Sequence, residues 1–226
     1  MPRQSRAPIL LIRPEPQNAA FAARLAAPVV RAPLFDMRRL TPDLPPAAAV
    51  VFTSANAIVP PAVAPRAWCV GDRTADAARR AGYDAISAQG DAEALVAAIL
   101  ASNERGPLLH LRGRDSRGDV ARRLTDAGVP TVERVIYDMQ PRPLSPEGQA
   151  LLDGAAPVIV PLFSPAAAGR FAAVAAGARA PLCLPCLSPA VARAAPPGLV
   201  RVCPRPDAAA MLEAILAMRA LETSGR

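Results

Sequence analysis

The segment Asp91-Ala-Glu-Ala-Leu-Val-Ala-Ala-Ile-Leu100 recurs near the end of the chain as Asp207-Ala-Ala-Ala-Met-Leu-Glu-Ala-Ile-Leu216. Shorter matches precede both copies and keep one order: Ile12-Arg13 with Leu111-Arg112, Leu34-Phe35-Asp36 with Ile136-Tyr137-Asp138, and Val70-Gly71 with Leu187-Ser188. An alanine-rich composition can produce any one match, but it does not reproduce their order, so the pattern indicates an internal duplication. The sequence therefore predicts two related units, over residues 9–100 and 108–216.

Short apolar runs alternate with alanine-rich stretches in both units, as strands alternate with helices. The runs that predict strands are Ile9–Ile12, Ala49–Thr53, Trp68–Val70, Leu108–Arg112, Val132–Tyr137, Pro157–Phe163 and Leu182–Leu187. The stretches that predict helices are Gln17–Leu25, Thr74–Ala81, Ala92–Ser102, Asp119–Ala127, Ala166–Ala176, Met211–Leu221 and a segment that starts at Pro189. Such alternation predicts an α/β fold with mostly parallel sheets flanked by helices.

The charged residues restrict the chemistry. All 26 basic residues of the 226-residue chain are arginine, which excludes a Schiff-base lysine and the lysine of a Walker loop. The single histidine, His110, excludes a multi-histidine metal site, and we expect it to pack within an apolar strand. The net charge of +7 and the arginines spread along the chain favour an anionic small molecule over nucleic acid. A basic protein without such a partner and a nucleic-acid binder remain as alternatives.

The cysteines and the apolar runs predict the compartment. Cys183-Leu-Pro-Cys186 lies in a strand-like run and has no second pair, so we expect structural thiols. The first apolar run ends at Arg13-Pro14, too soon for a secretory signal, and Gly154–Gly169 falls short of a spanning helix. We therefore expect a cytoplasmic protein with reduced thiols, outside the membrane. We also expect a monomer.

A first candidate binding turn is Val51-Phe-Thr-Ser-Ala-Asn56, which is predicted to join a strand to a helix. Thr53, Ser54 and Asn56 can cap a following helix, and the backbone N–H groups of a helix start can bind an anion. The alternative is plain helix capping.

Two further turns lie at the ends of predicted strands. In Val70-Gly-Asp-Arg-Thr74, Gly71 lets the backbone approach a ligand closely and Thr74 offers a hydroxyl at the helix start. In Leu162-Phe-Ser-Pro165, Ser164 is expected to cap a helix that has Pro165 in its first turn. Ligands bind at the carboxyl ends of strands in open α/β sheets, so these turns are candidate substrate sites.

Three more side chains at strand ends carry useful chemistry. Arg13 and Arg112 occupy matching positions of the repeat, and a guanidinium can clamp a carboxylate with two hydrogen bonds. Tyr137 offers a hydroxyl that can donate a proton. The alternatives are solvated charges for the arginines and a packed strand aromatic for the tyrosine.

Five short motifs, in this order, resemble the uroporphyrinogen-III synthase family over nearly the whole chain. They are Ile9-Leu-Leu-Ile-Arg-Pro14, Phe52-Thr-Ser-Ala-Asn56, Cys69-Val-Gly-Asp-Arg-Thr-Ala75, Val135-Ile-Tyr-Asp138 and Phe163-Ser-Pro165. One motif departs from the family: its second half usually carries an isoleucine-glycine-x-x-threonine turn, where this chain has Leu187-Ser-Pro-Ala-Val191. Val191 cannot supply the threonine hydroxyl.

The resemblance implies two α/β domains joined by two extended linkers. Residues 1–34 and 143–226 would form one discontinuous domain, and residues 35–142 would form the second, inserted domain. The crossings would fall near Ala32–Asp36 and Asp138–Pro143.

The resemblance also implies the activity. The family closes hydroxymethylbilane, a linear tetrapyrrole with eight carboxylates, and inverts its last ring through a spiro intermediate with loss of water. Tyr137 would assist departure of the hydroxyl, and Thr53, Ser54, Thr74 and Ser164 would hold carboxylates. No metal or organic cofactor is expected, and the partner would be hydroxymethylbilane synthase in transient contact. The alternative is a non-catalytic two-lobed module that binds an anionic small molecule.

Overall fold

The computed structural model describes residues 7–15, 17–116 and 118–224. Its contacts divide the chain into two compact units: Met1–Asp36 with Gln140–Arg226, called here the discontinuous unit, and Met37–Met139, called the inserted unit. These boundaries lie two and three residues from those that the family resemblance implies.

The elements alternate along the chain. The strands are β1 (Ile9–Leu11), β2 (Val29–Arg31), β3 (Phe35–Arg39), β4 (Ala49–Phe52), β5 (Arg66–Cys69), β6 (Asp84–Ser87), β7 (Leu108–Gly113), β8 (Thr131–Pro141), β9 (Val158–Ile159), β10 (Leu182–Cys186) and β11 (Leu199–Val202). The helices are α1 (Gln17–Ala22), α2 (Asp72–Arg80), α3 (Ala92–Ala101), α4 (Val120–Asp126), α5 (Pro146–Leu152), α6 (Pro165–Val174), α7 (Pro189–Arg193) and α8 (Ala208–Ser224).

The discontinuous unit has a five-stranded sheet in the order β11-β10-β9-β1-β2, with parallel pairing throughout. Side chains of β1 alternate between its two faces. Leu10 packs in a core cluster with Phe171 of α6 on one face. Ile9 and Leu11 pack with Met211 of α8 on the other. The apolar run therefore forms a strand that is buried on both sides.

The inserted unit has a six-stranded sheet in the order β3-β8-β7-β4-β5-β6. The β8-β7-β4-β5-β6 pairs are parallel. Val50 and Phe52 of β4 pack in one core cluster, and Val51 packs with Leu95 and Ile99 of α3 in another. The prediction of an α/β fold with parallel sheets flanked by helices is confirmed.

Both expected linkers are strands. The unit boundaries fall after Asp36 and after Met139, inside or at the ends of β3 and β8. The Leu40 N–H donates to the Ile136 carbonyl at 2.9 Å, and the Arg142 N–H donates to the Leu34 carbonyl at 3.0 Å. These two bonds make β3 and β8 an antiparallel pair.

Four strands of the described chain escape the apolar pattern, and all four are sheet edges: β2, β3, β6 and β11. Edge strands are often partly exposed, so they need no continuous apolar run. β11 reads Leu199-Val-Arg-Val202, so an arginine interrupts its apolar residues, and all four residues are exposed. The predicted strand Pro157–Phe163 shortens to β9, because a proline at position 161 cannot donate to the ladder.

The predicted helix after Thr53 is wrong. Only a 3-10 turn, Ala55–Ala57, follows β4. Pro60 and Pro61 lie just beyond it, and proline removes a backbone donor and disfavours helical backbone in the residue before it.

Candidate functional site

The inserted unit has a pocket at the point where its strand order reverses. From β4 the chain adds β5 and β6 on one side, and β7 and β8 then lie on the other. The carboxyl ends of β4 and β7 therefore border a crevice, which is where open α/β sheets bind ligands. The pocket measures about 280 Å³, and its lining residues come from five successive loops and strands: Thr53, Ser54, Val70, Asp91, Ala92, Gly113, Asp115, Ser116 and Tyr137.

Three of the predicted site residues meet in this pocket: Thr53, Ser54 and Tyr137. The sheet brings them together because Thr53 follows β4 and Tyr137 lies on β8, two strands away. The remaining predicted residues of this unit lie outside the lining: Asn56, Gly71, Thr74 and Arg112.

A β-bulge presents Tyr137 to the pocket. Arg112 pairs with Val135, whereas the next residue, Gly113, pairs with Tyr137, so β8 carries one extra residue. The Arg114 N–H donates to the Tyr137 carbonyl at 3.0 Å beyond the bulge. Bulges re-aim side chains near active sites. Tyr137 is 8% exposed and packs in a core cluster of this unit, and it also lines the pocket.

Thr53 contacts a buried histidine. The Nε2 atom of His110 lies 3.2 Å from Thr53 Oγ1, and His110 is 1% exposed. Burial lowers the pKa of His110 to about 4, Glu133 opposes this shift and Arg112 reinforces it. The packed histidine that the sequence predicted is therefore neutral at physiological pH.

Ser54 organises the turn after β4. Its Oγ accepts a hydrogen bond from the Asn56 N–H at 3.2 Å, and the Asn56 carbonyl accepts one from Arg39 Nη1 at 2.7 Å. Ser54 thus caps the 3-10 turn, in place of the longer helix that the sequence predicted.

Arg112 binds within its own unit. Its Nη2 pairs with Glu133, and its Nη1 donates to the carbonyls of Gly113 and Arg114 at 2.9 Å each. The hydrogen bond from Arg112 lowers the pKa of the Glu133 carboxyl. Arg112 therefore braces the loop after β7, and a substrate carboxylate would have to replace Glu133.

Two carboxylates line the pocket. The side chain of Asp91 caps α3 by accepting from the Glu93 and Ala94 N–H groups at 3.0 and 3.1 Å. Asp115 lies on the loop after β7. No arginine is among the lining residues in the described part of the chain. The arginine-lined anion site that the charge suggested is therefore not this pocket.

The turn before α2 carries Gly71 and Thr74. Gly71 has an extended φ of −161°, which any residue adopts, and an added β-carbon would meet only the Gly90 carbonyl, at 3.7 Å. Thr74 is the third residue of α2 and is 7% exposed. Val191 is the third residue of α7 and is 2% exposed, in the core of the other unit. The departure at Val191 therefore places an apolar side chain where the fold buries it.

Arg13 and Ser164 belong to the discontinuous unit, at the ends of its central strands. The guanidinium of Arg13 lies 4.0 Å from the centre of the Phe163 ring and 5.9 Å from that of Phe21. Such stacking orients the cation. Ser164 Oγ accepts from the Ala167 N–H at 3.2 Å with Pro165 in the first turn of α6, so the predicted cap is confirmed.

Sequence reasoning missed Gly113, Asp91, Asp115 and Ser116 in the pocket. A signal existed for two of them. Asp91 opens the repeated segment and precedes an apolar helix, which is a helix-start pattern. Gly113 directly follows the predicted strand Leu108–Arg112, and a glycine next to a strand pattern can mark a bulge.

All four cysteines are buried and free, as predicted for structural thiols, and burial raises the pKa of Cys69 and Cys186 to about 11. Among the described residues, no helix is long and apolar enough to cross a membrane.

Comparison with known proteins supports a single family. The fold matches uroporphyrinogen-III synthetase from Helicobacter pylori 26695 with a TM-score of 0.65 at 15% identity, covering 94% of this chain and 99% of that one. It also matches a mutant uroporphyrinogen III synthase from the extremely thermophilic bacterium Thermus thermophilus with a TM-score of 0.54 at 13% identity, covering 96% and 99%. No curated protein sequence matches.

These structural matches establish the fold alone at such low identity. The sequence itself supplies the assignment, because a family model described as uroporphyrinogen-III synthase HemD matches residues 19–213. This chain therefore belongs to the uroporphyrinogen-III synthase family, the cyclising lyases of tetrapyrrole and haem biosynthesis.

Proposed function

We propose that the pocket of the inserted unit holds the reacting end of hydroxymethylbilane while this enzyme forms uroporphyrinogen III. The observation that carries the proposal is the meeting of Thr53, Ser54 and Tyr137 in one pocket at the strand-order reversal. Each of the three side chains offers a hydroxyl group, and a hydroxyl can donate or accept a hydrogen bond.

Tyr137 assists departure of the substrate hydroxyl in this proposal. Its O–H donates a proton to the departing hydroxyl as the carbon–oxygen bond breaks, which releases water and leaves a tyrosinate and an electrophilic, positively charged azafulvene. The substituted carbon of the last ring then attacks, and the resulting spiro intermediate breaks one bond and forms another to close the inverted macrocycle. The last ring loses a proton on closure, and that proton returns to the tyrosinate. Because the azafulvene reacts without help to give the uninverted isomer, the enzyme acts mainly by positioning.

The pocket size limits what it holds. A volume of about 280 Å³ is at the lower end for ligand pockets, so it suits the terminal ring rather than a whole tetrapyrrole. The substrate's carboxylates then extend to the adjacent turns, where we place them against Asn56, Gly71 and Thr74. Arg112 contributes by bracing the loop that carries Asp115.

The discontinuous unit contributes two further carboxylate contacts. Arg13 is oriented by its stacking on Phe163, and a guanidinium can pair with a carboxylate through two hydrogen bonds. Ser164 lies at the start of α6, where the helix dipole favours an anion.

The cellular setting follows from the same proposal. We place the enzyme in the cytoplasm as a monomer without nucleic-acid partners. We also propose transient contact with hydroxymethylbilane synthase, because the substrate that this synthase releases is unstable. The alternative, a non-catalytic module that binds an anionic small molecule, is not favoured by the family match.

A coupled assay tests the proposal. Porphobilinogen and its deaminase generate hydroxymethylbilane in the presence of this protein, the products are oxidised, and the type I and type III isomers are separated. We expect mostly type III. Only type I, with the protein folded, would overturn the proposed activity.

A further inference from the structure

The only histidine of the chain lies behind the wall of the pocket. Its Nε2 is 3.2 Å from Oγ1 of Thr53, and Thr53 itself lines the pocket. The other ring nitrogen, Nδ1, is buried and has no hydrogen-bond partner among the described residues. The proposed reaction gives His110 no task, although burying a polar ring requires a compensating interaction.

The protonation of this ring decides what Thr53 can offer. Burial lowers the pKa of His110 to about 4, so at neutral pH one nitrogen carries a hydrogen and the other carries a lone pair. If Nδ1 carried the hydrogen, a buried N–H would have no acceptor, and orphaned N–H groups are rarer than orphaned acceptors. The hydrogen therefore belongs on Nε2, where Thr53 Oγ1 accepts it.

We propose that His110 is a positioning residue: its Nε2–H donates to Thr53 Oγ1 and so fixes the Thr53 hydroxyl as a hydrogen-bond donor to an electron-rich oxygen in the pocket. A threonine hydroxyl has one hydrogen, and His110 does not compete for it in this tautomer. The hydrogen is therefore available to the ligand.

This arrangement selects one kind of ligand atom. In the opposite tautomer Thr53 would donate to His110 and present lone pairs, which would favour the N–H of a pyrrole. With Nε2 protonated, the pocket presents a donor, which favours a carboxylate oxygen or the departing hydroxyl oxygen. Assigning that oxygen to hydroxymethylbilane rests on the proposed function, but the tautomer does not.

Nuclear magnetic resonance tests the tautomer without any substrate. The full-length protein is labelled with ¹⁵N-histidine, and the single imidazole gives one pair of ring nitrogen signals. We expect a protonated Nε2 and an unprotonated Nδ1 from pH 6 to pH 8. A protonated Nδ1, or a doubly protonated ring at pH 7, would overturn the inference.

A double-mutant cycle tests the coupling to Thr53. Thr53→Val and His110→Leu should each lower kcat/KM about ten-fold, as expected for a hydrogen bond to a charged group. If the loss is a rise in KM, the Thr53 hydroxyl binds a substrate carboxylate. If the loss is a fall in kcat, it binds the departing hydroxyl oxygen. His110→Gln, which keeps a donor near the Nε2 position, should recover most of the loss.

The double variant separates positioning from structure. We expect Thr53→Val with His110→Leu to match Thr53→Val within about two-fold, because His110 acts through Thr53. If His110→Leu lowered kcat/KM by the same factor in the Thr53→Val background as in the wild type, His110 would have only a structural role. If His110→Leu does not fold, the kinetics of His110→Gln and the tautomer seen by nuclear magnetic resonance test the positioning role. A wild-type protein that forms only the type I isomer would defeat the proposed function, but it would leave the tautomer result standing.

Discussion

The ring of Tyr137 occupies the space that a side chain at Gly113 would need. A β-carbon built on Gly113 would lie 2.5 Å from Cζ and 2.8 Å from the hydroxyl oxygen of Tyr137. The two residues pair across β7 and β8 at the bulge. Glycine at 113 is therefore required by the tyrosine ring that packs on it, and the placement of the proposed proton donor depends on that glycine.

Gly113→Ala should displace Tyr137 from the pocket. The added methyl group must push the ring aside, and overpacking of this kind lowers the free energy of unfolding by about 1–3 kcal/mol. We expect turnover in the coupled assay to fall ten-fold or more while the protein stays folded. Gly169→Ala is the matched control, because Gly169 is exposed and nothing lies within 4 Å of its added β-carbon. A Gly113→Ala enzyme with wild-type turnover would contradict the role of this contact.

Tyr137→Phe should lower turnover about ten-fold or more, since positioned proton transfer contributes on the order of 10²–10⁴. The ring and its packing on Gly113 remain, so the melting temperature should change little. Tyr83→Phe is the control: Tyr83 is the other tyrosine, and its ring packs against Phe52 at 5.2 Å in the core of the same unit. Equal turnover for Tyr137→Phe and wild type would remove Tyr137 from the chemistry.

Arg13→Ala should raise the apparent KM more than it lowers kcat. The guanidinium is proposed to bind a carboxylate that is present in both substrate and transition state, and loss of such uniform binding is measured as a change in KM. Arg24→Ala removes an exposed arginine just after α1 and should leave both constants unchanged. If kcat fell more than KM rose, Arg13 would act mainly in the transition state.

The stability of the protein should fall between pH 7 and pH 5 because of His110. The folded protein keeps this ring neutral down to a pKa of about 4, whereas the unfolded chain takes up a proton at about 6.5. Unfolding therefore binds a proton in this range, and the free energy of unfolding should drop by about 2 kcal/mol from pH 7 to pH 5. Chemical denaturation at the two pH values measures this difference.

The comparison variant for this measurement is His110→Gln, whose side chain does not titrate. The groups that face His110 are Glu133 and Arg112, and neither changes charge between pH 7 and pH 5. The glutamine variant should therefore lose most of the pH dependence. If the free energy of unfolding dropped equally in the wild type and in His110→Gln, groups other than His110 would cause the pH dependence.

The fold was more predictable from the sequence than the site. Buried strands such as β4 and β7 carry mostly apolar runs, so the pattern reveals them. It also places Thr53 and Tyr137 near the carboxyl ends of two predicted strands. The edge strand β11 is short and exposed, and Arg201 interrupts its apolar residues, so its sequence does not distinguish it from a loop.

The sequence also does not reveal which side chains bind one another in the fold. The sequence presents Arg112 as a clamp for a carboxylate, but it cannot show that Glu133, on the neighbouring strand, already binds that guanidinium. Likewise, the contact of His110 with Thr53 joins residues 57 positions apart, and only the register of β4 against β7 brings them together.

The antiparallel pairing of β3 and β8 has a consequence for how this protein can be dissected. The chain leaves one unit and returns to it through neighbouring strands, so the two ends of the segment Met37–Met139 lie side by side. A segment with adjacent ends and its own hydrophobic core is suited to excision, to circular permutation and to transfer into another host protein. The residues that form the pocket would travel with it as one piece.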